Sequence, residues 1–294
     1  MSTIVPPPYP TAPPPATTKL VKDGVVIGSY DAKLEEFRRI ALKYDIRTDF
    51  CYRLRQLEDF QIVIVCDDSS SMTNRVTSVE LFSAHSGGGI DPFSPRKTRW
   101  DELKDFTNIA TSIATIMDRD GIDLYFLNRG TAKNVTNVDM INEWFHKEPS
   151  GSTPLVSRLQ DVFHDYASVI KEKKLLIIIA TDGEPDEGRM AFVNTLKNKP
   201  TNTFVSILTC TDDDSIVSYL NDIDRLVSNV DTVDDYRNEK NEILKAQGEA
   251  FHFTYGDYVV KTLLGSVDDY FDKLDEPSPA IRVPKETPPC CCCM

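Results

Sequence analysis

The stretch Phe60-Gln61-Ile62-Val63-Ile64-Val65-Cys66-Asp67-Asp68-Ser69-Ser70-Ser71 decides the fold. A short apolar, β-branched run breaks abruptly into acids and hydroxyls. Such a run predicts a strand buried on both faces, as in a parallel sheet covered by helices. The same break recurs at Leu175-Leu176-Ile177-Ile178-Ile179-Ala180, which runs into Thr181-Asp182-Gly183. Between and around these runs the apolar spacing is helical. Leu103, Phe106, Ala110, Ile113 and Met117 place one helix over 98–118. Further helices are predicted over 138–145, 154–170, 190–197 and 215–226, with strands over 122–127 and 204–208. A last strand is expected around 250–254 and a last helix around 258–274. Upstream, Leu34, Phe37, Ala41 and Tyr44 predict a helix over 33–44, and Phe50, Leu54 and Leu57 a second short one. Strands alternating with helices predict an α/β fold, a doubly wound, mostly parallel sheet flanked by helices.

The chain has 294 residues, a formal net charge of -13 and a sequence pI near 4.8. That balance argues against nucleic acid as a partner, because phosphate binding needs a basic stripe. The longest apolar run is far shorter than the roughly 20 residues that span a bilayer. The opening Met1-Ser2-Thr3-Ile4-Val5 has neither a basic nor an apolar leader region, so no secretory signal is expected. Both ends are unusual. Seven of the 18 prolines lie in 6–15 and five in 277–289, and four of the seven cysteines are the run Cys290, Cys291, Cys292 and Cys293. The three remaining cysteines do not make a disulfide scaffold, and the body reads as a reduced, cytosolic domain. The expected organisation is a disordered proline-rich tail over 1–30, a helical prefix over 31–57, one domain over 58–274 and a flexible tail over 275–294. The segment between Thr73 and Lys97, with Ser86-Gly87-Gly88-Gly89, is long for a strand-to-helix loop.

In doubly wound sheets ligands sit beyond the carboxyl ends of the strands. There this sequence places Asp67, Ser69 and Ser71, then Thr153 in Gly151-Ser152-Thr153-Pro154-Leu155, then Asp182. Two carboxylates and three hydroxyls form a hard, all-oxygen donor set that selects Mg²⁺, Mn²⁺ or Ca²⁺ over Zn²⁺. Asp68 is not counted among the ligands. The histidines His85, His146, His164 and His252 are scattered and show no ligand spacing. Asp212, Asp213 and Asp214 lack a calcium-loop register and read as a solvated loop.

The order Asp67-x-Ser69-x-Ser71, Thr153, Asp182 resembles the von Willebrand factor type A (VWA) domain and its metal-ion-dependent adhesion site. The resemblance covers about 58–274. It implies a Rossmann-like fold, a divalent cation on those five residues, and an open metal position taken by a Glu or Asp carboxylate of a protein partner. An enzyme is not expected. Metal-dependent phosphohydrolases commonly carry a second Asp two residues after the first, where this chain has Ser69, and no basic phosphate loop follows.

The tails carry short motifs. Pro6, Pro7, Pro8 and Tyr9 fit P-P-x-Y, the ligand type of WW domains found in HECT-type ubiquitin ligases, and polyproline II is pre-ordered for such grooves. Pro10, Thr11, Ala12 and Pro13 spell P-T-A-P, which resembles the late-domain motif that recruits the UEV-domain subunit of the ESCRT machinery. The four terminal cysteines are candidates for S-palmitoylation. The last four residues also form a C-a-a-X box, whose two middle residues are Cys rather than aliphatic. Two or more acyl chains anchor stably where one does not. The expectation is therefore a metal-dependent, membrane-peripheral adaptor on the cytosolic face of the plasma membrane or endosomes. The alternatives are a VWA-type structural or adhesion module and a metal-dependent hydrolase.

Overall fold

The computed structural model describes residues 21–22, 25–26, 29–76, 97–211 and 213–276, with side chains from residue 33 onward. Strands β1 (Val21–Lys22) and β2 (Val25–Val26) pair antiparallel ahead of helices α1 (Ser29–Tyr44) and α2 (Thr48–Arg53). A 3-10 turn over Leu54–Asp59 then leads into β3 (Phe60–Cys66). The order continues α3 (Arg99–Met117), β4 (Ile122–Phe126), β5 (Gly130–Val135), α4 (Val138–Phe145), α5 (Leu155–Asp165) and β6 (Lys174–Thr181). It closes with α6 (Arg189–Lys197), β7 (Thr203–Thr209), α7 (Asp214–Leu226), β8 (Val230–Val233), α8 (Tyr236–Gln247), α9 (Tyr255–Leu264) and α10 (Asp269–Asp272).

Six strands form one sheet in the order β5-β4-β3-β6-β7-β8, parallel except for the antiparallel pair β4-β5. The chain leaves β3 towards β4 and later returns to β3's other side with β6. The topological switch point, where such sheets bind ligands, therefore lies between β3 and β6. Alternate residues of the central strands feed two cores. Ile62, Ile64, Leu176 and Ile178 pack with α1, α2, α3 and α9 on one face. Val63, Val65, Ile177 and Ile179 pack with α5, α6 and α7 on the other. Period-two alternation with both faces buried is why these strands read as unbroken apolar runs. Among the described residues no helix is long and apolar enough to cross a membrane.

The α/β class is as the sequence predicts, and several elements differ. Five were missed: β1 and β2, which fall within the stretch 1–30 expected to be disordered, and β5, β8 and α8. Strand β5 is half-exposed, irregular in register against β4, and contains Asn134 at a φ of 53°. Strand β8 has four residues and places Asp231 at one of its buried positions. The strand expected around 250–254 is not one. The sheet edge is taken by β8, and Phe253 drops into the core while Thr254 caps α9. The helix expected over 258–274 is split at Gly265 into α9 and α10, and that over 154–170 stops as α5 at Asp165. The 77–96 segment, including Ser86-Gly87-Gly88-Gly89, lies outside the described residues. Its flanks meet where Arg75 pairs with Thr98 and Val76 N–H donates to the Lys97 carbonyl at 3.1 Å.

The helical prefix shares the domain's core. Phe37, Ile46, Phe50, Leu54 and Leu57 belong to the same cluster as Ile62 and Val260. Phe50 meets Phe271 edge-on at 4.8 Å, and Arg53 pairs with Asp268 at 2.7 Å, so α2 and α10 brace each other. Truncating a large buried ring typically costs about 3–5 kcal/mol. Phe50→Ala is expected to lower stability by about that amount in urea unfolding, with one transition rather than two. Separate unfolding of the prefix would contradict its place in the shared core.

Candidate functional site

Where β3 and β6 end, their side chains join in one hydrogen-bonded chain. Asp67 N–H still donates to the Ala180 carbonyl at 3.0 Å, which carries the β3-β6 ladder one residue past Cys66. Asp67 is fully buried. Its Oδ1 accepts from Ser69 N–H at 2.9 Å and its Oδ2 from Thr181 Oγ1 at 2.7 Å. The hydroxyls of Ser69 and Ser71 lie 3.0 Å apart, and Ser71 Oγ donates to Asp182 Oδ1 at 2.7 Å. The Ser71 proton goes to Asp182, and the Ser69 hydroxyl lies beside both Ser71 and the Asp67 carboxylate. On the far side Arg99 Nη1 donates to Asp182 Oδ2 at 2.7 Å and Nη2 to Thr211 Oγ1 at 3.0 Å.

Four of the five expected ligands, Asp67, Ser69, Ser71 and Asp182, are thus linked directly. Thr153 is buried at the same edge but tied differently. Its N–H donates to Asp186 Oδ2 at 3.1 Å, and its carbonyl accepts from Asp186 N–H at 2.9 Å. Its loop is held to the 67–71 turn by Ser70 N–H on the Gly151 carbonyl at 3.2 Å. Gly151 has a φ of +120°, and a Cβ there would lie 2.4 Å from Asn128 Oδ1, so this approach needs glycine.

Asp68 turns away from this chain of donors. It accepts from Asn128 N–H and pairs with Arg129 Nε, both at 2.7 Å. Arg129 lies over the Trp100 ring at 4.8 Å and donates to the carbonyls of Trp144, Lys147 and Glu148. Asn128 Nδ2 in turn donates to the Ser152 carbonyl at 2.8 Å. Asp68 therefore anchors the 150-loop from below while Asp67 faces the crevice.

The electrostatics of the two site carboxylates differ. Asp182, with a fully buried side chain, has Arg99 as its ion partner. Asp67 has no ion pair among the described residues and is held by neutral donors. Burial pushes its pKa up to about 6, opposed by the hydrogen bonds from Ser69 and Thr181, and the nearby Asp182 charge adds to the rise. An uncompensated buried carboxylate beside two hydroxyls and a second carboxylate fits a hard cation. Those residues could hold one.

Arg99, Thr211, Thr181 and the Asn128-Arg129 pair were not read from the sequence. Arg99 left one signal. Thr98 caps α3 with Asp101 in a capping box, which puts Arg99 in the first turn of the helix. A cation there opposes the helix dipole, so it needs a partner elsewhere. The proline, threonine and tyrosine positions of the two N-terminal motifs and the four cysteines at 290–293 lie outside the described residues. Comparison of the chain with protein-family models and with curated proteins gave no match.

A carboxyl whose pKa is raised by folding contributes stability below its unfolded value near 3.8, lost as pH rises through about 6. In chelator at pH 7.5, Asp67→Asn is therefore expected to be more stable than wild type by about 1–3 kcal/mol, and no more stable at pH 3.5. Denaturant unfolding at the two pH values measures this. Arg99→Ala leaves Asp182 buried and unpaired and is expected to destabilise by about 3–5 kcal/mol in the same assay.

Proposed function

We propose that this chain is a non-enzymatic, divalent-metal-dependent protein-binding adaptor of the VWA type. In this reading Asp67, Ser69, Ser71, Thr153 and Asp182 hold Mg²⁺, or Mn²⁺ or Ca²⁺ in its place. The observation that carries it is the continuous chain Asp67–Ser69–Ser71–Asp182 at the β3-β6 switch point, with no ion pair to Asp67 among the described residues. The resemblance implies that an open position on the metal takes a Glu or Asp carboxylate of a partner. Bound metal would supply Lewis-acid attraction for that carboxylate. The protein's own part is to orient the two seryl hydroxyls through Asp182 and to hold Asp182 through Arg99.

The tails complete the proposal. Pro6, Pro7 and Tyr9 would recruit a WW-domain ubiquitin ligase, and Pro10, Thr11, Ala12 and Pro13 the UEV-domain subunit of ESCRT. Acylation of Cys290, Cys291, Cys292 and Cys293 would hold the domain at the cytosolic face of the plasma membrane or endosomes. Together these would link a carboxylate-bearing partner to sorting or budding.

Magnesium titrated calorimetrically into the purified full chain tests the metal reading. One site is expected, lost in the Ser69→Ala/Ser71→Ala double variant with the melting temperature in chelator little changed. Absence of divalent-ion binding to wild type at millimolar concentration would sink it. In cells, replacing residues 10–13 is expected to remove ESCRT components from pull-downs, and changing all four terminal cysteines to Ser to release the protein from membranes.

A further inference from the structure

A second group of carboxylates lies at the β8 edge of the sheet, built by elements that take no part in the β3-β6 crevice. Asp231 is the second residue of β8, in register with Ser206 of β7. It is 3% exposed, yet its Oδ2 has no hydrogen-bond partner. Asp224 from α7 and Asp272 from α10, both partly exposed, bring a carboxylate oxygen each to it, and the three oxygens lie within 4.8 Å of one another. Gly265, just past α9, closes the back of this group. A Cβ there would fall 1.7 Å from Asp231 Oδ2, so any side chain at 265 would displace that carboxylate.

Three carboxylates this close repel one another unless something positive sits among them. The nearest cation, the fully buried Lys261, acts on all three, yet it also pairs with Glu239 at 3.2 Å and Asp275 at 3.3 Å, so one positive charge is shared among five carboxylates. Among the described residues no Lys, Arg or His forms an ion pair with Asp224, Asp231 or Asp272. The repulsion registers in the protonation equilibria. Burial pushes the pKa of Asp231 up to about 6, and burial together with neighbouring carboxylates raises Asp224 and Asp272 as well. The orphaned, buried oxygen of Asp231 distinguishes this group from acidic residues that merely share a solvated surface.

We propose that Asp224, Asp231 and Asp272 bind one calcium ion that fastens α7, β8 and α10 together. The donors are all hard carboxylate oxygens, which excludes a zinc preference. Magnesium keeps most of its water and is usually held by one or two carboxylates. Calcium accepts six to eight oxygens in flexible geometry, which suits three carboxylates with water in the remaining positions.

The test is calcium titrated calorimetrically into the chelator-stripped full chain at pH 7.5, with a thermal melt in parallel. Wild type is expected to bind calcium at this site and to melt higher with it. Asp224→Asn with Asp272→Asn, both at partly exposed positions, should weaken that binding at least tenfold and remove the melting shift. Ser69→Ala with Ser71→Ala should leave it unchanged, which separates this site from the one at the β3-β6 crevice. If the paired Asn variant fails to melt cooperatively, Asp272→Asn alone carries the comparison. No calcium binding by wild type at millimolar concentration, a loss smaller than tenfold in the Asn variants, or an equal loss in the Ser variants would overturn the proposal.

Discussion

Seven residue pairs hold β3 against β6, from Phe60 opposite Lys174 to Cys66 opposite Ala180, and every later distance in the crevice inherits that register. The ladder continues into Asp67 N–H on the Ala180 carbonyl, and Thr181 at the end of β6 then meets Asp67 Oδ2. Slipping the pairing by one residue would exchange the two cores, sending Ile62 and Ile64 to the face now filled by Val63 and Val65. It would also carry Asp67 away from Thr181. The hydrophobic pattern on both faces therefore fixes the placement of a polar group that has no hydrophobic role.

That placement is energetically uphill for the ionised carboxylate. Asp67 is buried, held by neutral donors and raised in pKa, whereas its neighbour Asp68 is buried beside Arg129. Two adjacent acids thus do different work. Asp68 ties together the loops after β4 and α4, and Asp67 is held by neutral donors alone among the described residues. Retained destabilising charge of this kind concentrates at functional sites. Arg99 sharpens the contrast, since it sits where the dipole of α3 disfavours it and is held there by Asp182 and Thr211.

The central strands and most helices were legible in the sequence because their signals are local. A strand buried on both faces is a continuous apolar run, and α3 carries its period over 19 residues. The same local signals failed at the sheet's edges. Strand β5 has only one well-packed side and a left-handed Asn134, and β8 is too short to show a period. The residues 250–254 looked like a strand because Phe251 and Phe253 alternate, yet those rings pack against Tyr236 and the core with no neighbouring strand to pair with. At the site, Asp67, Ser69, Ser71 and Asp182 were legible because they come directly after buried strands. Arg99 and Thr211 were not, because Arg99 reaches Asp182 across 83 residues and Thr211 across 112, bonds that close only in the folded chain.

The two acidic centres are built for different tasks. At the β3-β6 crevice two carboxylates share the donor set with hydroxyls, and one of them is already neutralised by Arg99. Hydroxyls carry no charge, so such a set offsets less of a divalent ion's charge than three carboxylates would. At the β8 edge three carboxylates converge without a hydroxyl among them, and their nearest cation, Lys261, is shared with Glu239 and Asp275. The two centres thus differ in donor chemistry, and the second suits a structural clasp. The clasp also bears on the crevice's support: α10 packs through Phe271 against Phe50 of α2, within the same core that underlies β3 and β6. An ion at the sheet's edge would thereby steady the helical face on which the central strands rest.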